Sequence, residues 1–243
     1  MNTFSKERVK LVAFDLDGTI TQHKTKLSEE SKRVLDALGR SYRLLMVGAG
    51  SCERIHNQLN GYPIDIVGNY GMEYAQWDEK SRKLIVTEKR SVPIDKPSVT
   101  ERIEYLRRET GYTEYKGETV EFHESGMLTF PLLGTAAALP DKIAFDPDRK
   151  KRRKIYPLVA ETFGDYNAFV GGSSSFDMSP KPYCKLEALG RYCSLHNISR
   201  DEVVYVGDDY GTGGNDEDVY KSDIAFICVD NYLDFGKCVS KLF

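Results

Sequence analysis

The sequence has 243 residues, 40% of them hydrophobic and 29% charged, and its formal net charge of −3 gives no electrostatic reason to expect nucleic acid or an anionic membrane as a partner. Its five cysteines include no CxxC pair, which argues against a disulfide framework or a zinc site, so we expect a protein of the reducing cytoplasm. There is no signal-peptide pattern, and no apolar run approaches the roughly 18 residues that a membrane span needs.

The first third of the sequence alternates short apolar runs with helical patterns. Residues 10–14 (KLVAF), 44–47 (LLMV) and 64–67 (IDIV) predict buried strands. One helix is predicted to begin after Ser28, and a second contains Ile55. Strands that alternate with helices indicate a parallel sheet, in which ligand sites lie at the carboxyl ends of the strands.

The middle and the end of the sequence have different patterns. Residues 81–181 predict an α+β insert, with strand-like segments and a helix that carries a basic run at 149–154. Residues 182–243 return to the first pattern, with a helix, a strand at 203–206 (VVYV) and one further strand. We therefore predict an α/β fold in which a Rossmann-like core domain, 1–80 and 182–243, holds an inserted cap domain, 81–181.

The strongest chemical signal is the motif Asp15-Leu16-Asp17-Gly18-Thr19, directly after the first predicted strand. Asp15 can attack phosphorus and form an aspartyl-phosphate, and Asp17 can give or take a proton at the leaving or attacking oxygen. An alternative interpretation is a plain turn before a capped helix, because Asp and Gly favour turns.

A second acidic segment follows the late strand and contains Asp208, Asp209, Asn215 and Asp216. Clustered oxygen ligands suit Mg²⁺, which neutralises charge on a phosphate and on an attacking carboxylate. Lys185, at the start of the preceding helix, is predicted to present a fixed positive charge to phosphoryl oxygens. A Gly-Asp-Asp sequence alone is common in loops, but the two acidic motifs and a lysine in this order are far more specific.

These motifs resemble those of a known superfamily. The segments 14–21 (FDLDGTIT) and 206–216 (VGDDYGTGGND) are similar to the first and last motifs of the haloacid dehalogenase superfamily. The segments 47–59 (VGAGSCERIHNQL), 125–130 (SGMLTF) and 171–180 (GGSSSFDMSP) resemble its eukaryotic-type phosphomannomutase branch. The resemblance covers nearly the whole chain and implies a Rossmann-like haloacid dehalogenase core with a C2-type α+β cap.

The resemblance implies roles for individual core residues. Asp15 would be the nucleophile and Asp17 the general acid and base, with Mg²⁺ held by Asp15, the Asp17 carbonyl and Asp208. Ser51 is assigned as the hydroxyl of the second motif. The run of small residues at 48–51 leaves the register of this motif open. Lys185 matches the lysine of the family, and Lys181 is a nearby second candidate.

The resemblance also implies substrate contacts. Lys24 stands where a core arginine is expected, and Ser175 and Asp177 match cap positions that contact the sugar. Lys142 stands where one of the cap arginines of the mutases grips the far phosphate of a sugar bisphosphate. The resemblance makes a homodimer plausible, because the mutases dimerise through the cap.

The departures from the family pattern favour hydrolysis over isomerisation. Two other positions that hold phosphate-gripping arginines in the mutases are Glu124 and Thr135, and Lys142 lacks the bidentate fork of arginine. A mutase must hold a second phosphate, whereas a phosphatase need not. The basic run 149–154 offers substitute cations, but we interpret it as a solvated helix face.

We therefore predict a Mg²⁺-dependent phosphatase that hydrolyses a small phosphorylated metabolite, most simply a sugar phosphate, through an aspartyl-phosphate. The first alternative is a phosphomannomutase-like hexose phosphate mutase. The second alternative is a sugar-phosphate-binding module without activity, which the presence of a nucleophile argues against.

Overall fold

The computed structural model describes residues 4–243. The strands are β1 Leu11–Phe14, β2 Arg43–Val47, β3 Asp65–Gly68, β4 Glu73–Asp78, β5 Lys83–Lys89, β6 Glu121–Phe122, β7 Leu128–Pro131, β8 Tyr166–Phe169, β9 Ser175–Pro180, β10 Val203–Gly207 and β11 Ala225–Cys228. The α-helices are α1 Glu29–Leu38, α2 Cys52–Gln58, α3 Lys96–Thr110, α4 Leu139–Phe145, α5 Lys150–Thr162, α6 Lys185–Leu195, α7 Glu217–Lys221 and α8 Phe235–Cys238.

The chain divides into two compact units. The first unit consists of the described residues up to Arg90 together with Lys185–Gly211 and Asp216–Phe243, and the second consists of Ser91–Cys184 and Thr212–Asn215. The sequence placed the first boundary after residue 80. In the structure it follows Arg90, because β5 pairs with β4 and extends the sheet of the first unit.

The sheet of the first unit has seven strands in the order β11-β10-β1-β2-β3-β4-β5. The first five are parallel, and β4 and β5 are antiparallel additions at one end. All four residues of β1 are buried, and they pack alternately into two hydrophobic clusters on opposite faces of the sheet. This explains the unbroken apolar run, since neither face of the strand meets water. The predicted α/β fold with a parallel-rich sheet is confirmed.

The position of β1 in the sheet sets the position of the site. β1 pairs in parallel with β10 on one side and β2 on the other, with Phe14 opposite Val206 and Met46. The segments that follow these three strands therefore leave the sheet at the same edge. They carry the first acidic motif, the late acidic loop and the run of small residues 48–51.

The second unit contains a four-stranded antiparallel sheet in the order β6-β7-β9-β8. Its hydrophobic cluster joins Leu128, Phe130 and Phe176 of the sheet to residues of α3 and α5. Thr129 and Asp177 are paired in register, and both are only partly buried. Burial alternates over the first four residues of β9, as expected where one face of the sheet packs on helices.

The basic run at the start of α5 is not wholly solvated, so its interpretation as a solvated helix face is wrong for Arg152. Only 1% of this side chain is exposed, and its Nε donates a hydrogen bond to Asp146 Oδ2 at 2.9 Å. Its Nη1 also donates to the carbonyl oxygens of Gly171, Gly172 and Ser175. Arg152 thus holds the loop before β9 inside the second unit.

Two general expectations can be compared with the structure. No disulfide forms among the five cysteines, all of which lie in the described residues. Within residues 4–243, no helix combines the length and the apolar character that crossing a membrane would require.

Candidate active site

Asp15 continues β1 by one residue, and its backbone N–H donates to Val206 O at 2.9 Å. Its carboxylate is buried, and Oδ1 accepts a hydrogen bond from Lys185 Nζ at 2.6 Å. Thr19 Oγ1 lies 3.4 Å from Asp15 Oδ2 and 3.1 Å from Asp208 Oδ1, so one hydroxyl connects the two acidic segments. Burial raises the pKa of Asp15 to about 6 although Lys185 acts in the opposite direction.

Lys185 is the first residue of α6, and its side chain is fully buried. Its Nζ lies 2.8 Å from Asp216 Oδ1, which also accepts a hydrogen bond from the Tyr205 hydroxyl at 2.7 Å. Burial disfavours the charged form, but Asp15 and Asp216 outweigh it, so the pKa of Lys185 lies above its usual value. Lys185 is therefore a permanent cation beside Asp15.

The residues around Asp15 fit a magnesium ion. One carboxylate oxygen each from Asp15, Asp208 and Asp216 lies within 4.8 Å of the other two. Both oxygens of Asp216 accept hydrogen bonds, Oδ1 from Lys185 and Tyr205 and Oδ2 from the Asp209 N–H, so we expect Asp15 and Asp208 to be the carboxylate ligands. The Asp17 main-chain carbonyl accepts no hydrogen bond from the residues that the structure describes. These are hard oxygen donors of the kind that Mg²⁺ prefers.

The Asp17 carboxylate accepts hydrogen bonds from three residues. Its Oδ1 accepts hydrogen bonds from the Lys24 backbone N–H and from Gln58 Nε2, both at 2.7 Å, and its Oδ2 lies 3.3 Å from Arg54 Nη2. Burial alone would raise the pKa of Asp17, but the hydrogen bonds from Gln58 and Lys24 and the charge of Arg54 lower it overall. These contacts favour the ionised form of Asp17 in the site without substrate, whereas the negative charge of a bound phosphoryl group would favour the protonated form that can donate a proton.

Gly18 allows the two acidic segments to meet. Its φ of +100° lies in a region that side chains rarely adopt, and a Cβ placed there would lie 2.6 Å from Asp208 Oδ2. A side chain at this position would therefore displace the Asp208 carboxylate.

Other residues predicted for this site have different surroundings. Ser51 is the N-cap of α2, where its hydroxyl accepts a hydrogen bond from the Arg54 N–H at 3.2 Å. Lys24 contributes its backbone N–H rather than its exposed side chain. The acidic loop 208–216 belongs partly to each unit. Asp208, Asp209 and Asp216 belong to the first unit, and Asn215 belongs to the second.

The predicted substrate contacts of the second unit lie on one sheet and one helix. Asp177 Oδ1 accepts a hydrogen bond from Thr129 Oγ1 at 3.2 Å, and the Ser175 hydroxyl donates to Gly171 O at 3.2 Å. Lys142 Nζ donates to Thr135 O at 2.9 Å, so this ammonium is bound within the second unit.

Four residues of the site were not predicted from the sequence. Thr19 and Tyr205 contact the carboxylates around Lys185, and Arg54 and Gln58 contact Asp17. Thr19 could have been found, because it belongs to the first acidic motif itself. Arg54 and Gln58 are four residues apart on a predicted helix that follows a strand end. This spacing places both side chains on one face of the helix and was a second usable signal.

Known proteins resemble this chain in sequence and in fold. The sequence model of the eukaryotic phosphomannomutase family matches residues 31–231. A phosphomannomutase of Triticum aestivum is 25% identical over 226 residues, which cover 90% of this chain and 88% of that protein. Among solved structures, an IMP-bound IMP-nucleotidase of Plasmodium falciparum has a TM-score of 0.73 at 14% identity, covering 97% of this chain and 68% of that one. A haloacid dehalogenase-like hydrolase from B. subtilis has a TM-score of 0.63 at 15% identity, covering 95% and 98%.

Proposed function

This chain belongs to the eukaryotic phosphomannomutase family, and hence to the haloacid dehalogenase superfamily of phosphoryl-transfer enzymes, and from that premise we propose that it is a Mg²⁺-dependent phosphatase. The substrate class is a small phosphorylated metabolite, most simply a sugar phosphate. The observation that carries the proposal is the cluster of Asp15, Lys185, Thr19 and Asp208 at the carboxyl edge of the sheet. Such a cluster has both a nucleophile and the charges that a phosphoryl group requires.

The chemistry follows from the two aspartates. Asp15 attacks phosphorus, the bond from phosphorus to the leaving oxygen breaks, and that oxygen takes a proton from Asp17. Water then attacks the aspartyl-phosphate while Asp17 takes its proton, which releases phosphate and restores Asp15. Lys185 fixes one oxygen of Asp15 and offers its charge to the phosphoryl oxygens. Mg²⁺ held by Asp15, the Asp17 carbonyl and Asp208 would neutralise charge on those oxygens.

The preference for hydrolysis over isomerisation rests on the cations of the second unit. Of the three positions noted above, Glu124 is acidic, Thr135 is uncharged, and Lys142 is bonded to the Thr135 carbonyl. The Thr135 hydroxyl itself accepts a hydrogen bond from the Glu118 N–H at 2.9 Å. Binding a second phosphate typically requires hydrogen bonds to charged groups, each of which contributes about 1.5–3 kcal/mol. These residues do not offer such hydrogen bonds.

The test is phosphate release with purified protein, Mg²⁺ and a panel of sugar phosphates and nucleoside monophosphates. We expect turnover of at least one monophosphate, and we expect the Asp15→Asn variant to have none. Asp36→Asn, which changes an exposed aspartate of α1, is the matched control and should keep full activity. Turnover that survives in Asp15→Asn would refute the assigned nucleophile.

The second candidate is a hexose phosphate mutase, and the specific observation in its favour is the family match over residues 31–231. The two candidates differ in their products. Conversion of a hexose 1-phosphate to the 6-phosphate that depends on an added hexose bisphosphate, with little phosphate released, would favour the mutase. Release of phosphate without an added bisphosphate would favour the phosphatase.

The cellular location that we propose is the cytoplasm. The five cysteines form no disulfide in the described residues, which supports a protein that works in a reducing compartment.

A further inference from the structure

The two oxygens of the Asp17 carboxylate have unequal surroundings. Oδ1 is occupied by two short hydrogen bonds, from the Lys24 N–H and Gln58 Nε2, both at 2.7 Å. Within residues 4–243, the hydrogen bonds that Oδ2 accepts come from the Arg54 guanidinium, with Nη2 at 3.3 Å and Nη1 at 3.4 Å. Hydrogen bonds of this length to a charged group are weak. Oδ2 is therefore the oxygen that can exchange a proton with a reacting group.

Arg54 is held at this place by contacts other than Asp17. Its Nη1 donates to Gln58 Oε1 at 3.0 Å, one helical turn further along α2. Its guanidinium also lies where a side chain at residue 50 would be, since a Cβ on Gly50 would lie 2.6 Å from Nη2 and 2.7 Å from Cζ. Glycine at position 50 thus makes room for the guanidinium, which explains part of the run of small residues after β2.

The guanidinium has hydrogen-bonding capacity left for a ligand. Among residues 4–243 it bonds only Asp17 and Gln58, although an arginine offers five N–H donors. Its side chain is 41% exposed. An oxygen that approaches Asp17 Oδ2 to exchange a proton would therefore also lie beside a cation with donors to spare.

We propose that Arg54 is a further catalytic residue, whose guanidinium stabilises negative charge on the oxygen that leaves phosphorus. The inference rests on the proposed function, because it concerns the leaving oxygen of the same reaction. When the bond from phosphorus to the leaving oxygen breaks, the bonding electron pair remains on that oxygen. Arg54 lowers the energy of this charge while Asp17 Oδ2 supplies the proton.

This role has a kinetic signature that a structural role lacks. The leaving oxygen of a sugar phosphate is a poor leaving group. It carries much negative charge in the transition state, and this charge must be stabilised by the enzyme. The oxygen of nitrophenyl phosphate leaves with its charge delocalised into the ring and needs little help. Loss of Arg54 should therefore slow the two substrates unequally.

The experiment compares kcat/KM for the best sugar phosphate and for nitrophenyl phosphate in Arg54→Met, Arg54→Lys and the unmodified enzyme. We expect Arg54→Met to lose roughly 10²-fold on the sugar phosphate, the loss typical of removing one charge-stabilising donor. On nitrophenyl phosphate it should lose less than about threefold, because little charge needs stabilising there. Arg54→Lys should recover part of the loss, and Arg33→Met, an exposed arginine of α1, is the matched control.

Gly50→Ala tests the same idea without changing the arginine. The added methyl group should push the guanidinium away from Asp17 and reproduce the selective loss on the sugar phosphate. In an Arg54→Met background the same substitution should have little further effect, because the group it displaces is gone. Retained turnover of nitrophenyl phosphate shows in each case that the variant has folded.

The results separate this inference from the proposed function. Equal losses on the two substrates, or no loss on the sugar phosphate, would overturn the role of Arg54 while the enzyme remained a phosphatase. Failure of the unmodified enzyme to release phosphate from either substrate would instead refute the proposed function.

Discussion

Lys185 Nζ lies 2.6 Å from Asp15 Oδ1, although the two residues are 170 positions apart in the sequence. The ammonium is shared with Asp216 Oδ1 at 2.8 Å, and all three side chains are at least nine-tenths buried. A buried cation between two carboxylates is stable only as a complete group, because each charge compensates the others. The group that gives Asp15 its chemistry is therefore also part of what holds the first unit together.

Removing this cation should cost stability as well as activity. We expect Lys185→Met to lower the free energy of unfolding by about 3 kcal/mol at neutral pH, the typical cost of breaking a buried ion pair from one side. Urea denaturation followed by circular dichroism measures the change. Lys32→Met, which removes an exposed lysine paired with Asp36, is the control and should leave the free energy of unfolding almost unchanged. Equal stabilities for the two variants would contradict the buried pairing.

Replacing Gly18 by alanine should combine backbone strain with a steric conflict at Asp208. We expect Gly18→Ala to lower the free energy of unfolding by about 2 kcal/mol, through its unfavourable φ, and to abolish phosphate release. Gly111, at the end of α3, has a φ of +77° but no atom within 4 Å of an added Cβ.

Gly111→Ala is therefore a control for strain alone. It should cost about 1 kcal/mol of stability and leave the activity unchanged. Denaturation curves and phosphate-release rates for both variants are the measurements. Full activity in Gly18→Ala would show that the approach of residue 18 to Asp208 has no functional importance.

Magnesium binding should depend on Asp208 even in the absence of substrate. We expect Asp208→Asn to weaken Mg²⁺ binding at least roughly tenfold in isothermal titration calorimetry, because one of the two proposed carboxylate ligands is lost. Asp36→Asn, at an exposed position on α1, should bind Mg²⁺ as the unmodified protein does. If both variants bound the ion equally well, the assigned ligands would be wrong.

The ion pair between Asp146 and Arg152 should make the second unit sensitive to acid. Burial raises the pKa of Asp146, but hydrogen bonds from the Arg152 side chain and from backbone N–H groups outweigh this, so its pKa lies below the usual value. A depressed pKa in the folded state means that the stabilisation is present above the unfolded-state pKa of about 4. It is lost as the pH falls through the folded-state value.

The stability difference between the unmodified protein and Asp146→Asn should follow the same dependence. At pH 7 we expect the free energy of unfolding of Asp146→Asn to be about 3 kcal/mol lower than that of the unmodified protein. Below about pH 4 this difference should become smaller, because Asp146 takes up a proton. Urea denaturation across this pH range is the measurement. Asp223→Asn, which removes an exposed partner of Arg200, should show only a small difference throughout. If the difference in the free energy of unfolding increased as the pH fell, the assigned stabilisation by ionised Asp146 would be contradicted.

Much of the fold could be predicted from local patterns. The apolar runs at 10–14, 44–47 and 203–206 are parallel strands of one sheet, because a strand buried on both faces requires apolar residues at every position. The same patterns placed Asp15 and Asp208 after predicted strands, which the structure shows to be neighbours in the sheet. The boundary near residue 80 was misplaced because β5 is mostly exposed, so its pattern does not show which sheet it joins.

The sequence by itself determined which chemical groups are present and at which edge of the sheet they lie, since the order of strands and acidic motifs is local information. Only the tertiary structure decided which groups touch. It paired Lys185 with Asp15 and Asp216, placed Arg54 beside Asp17, and buried Arg152 within an otherwise basic helix start. These pairings depend on how elements distant in sequence pack together. In a sequence, a charged residue that contacts water cannot be distinguished from one that contacts a buried carboxylate.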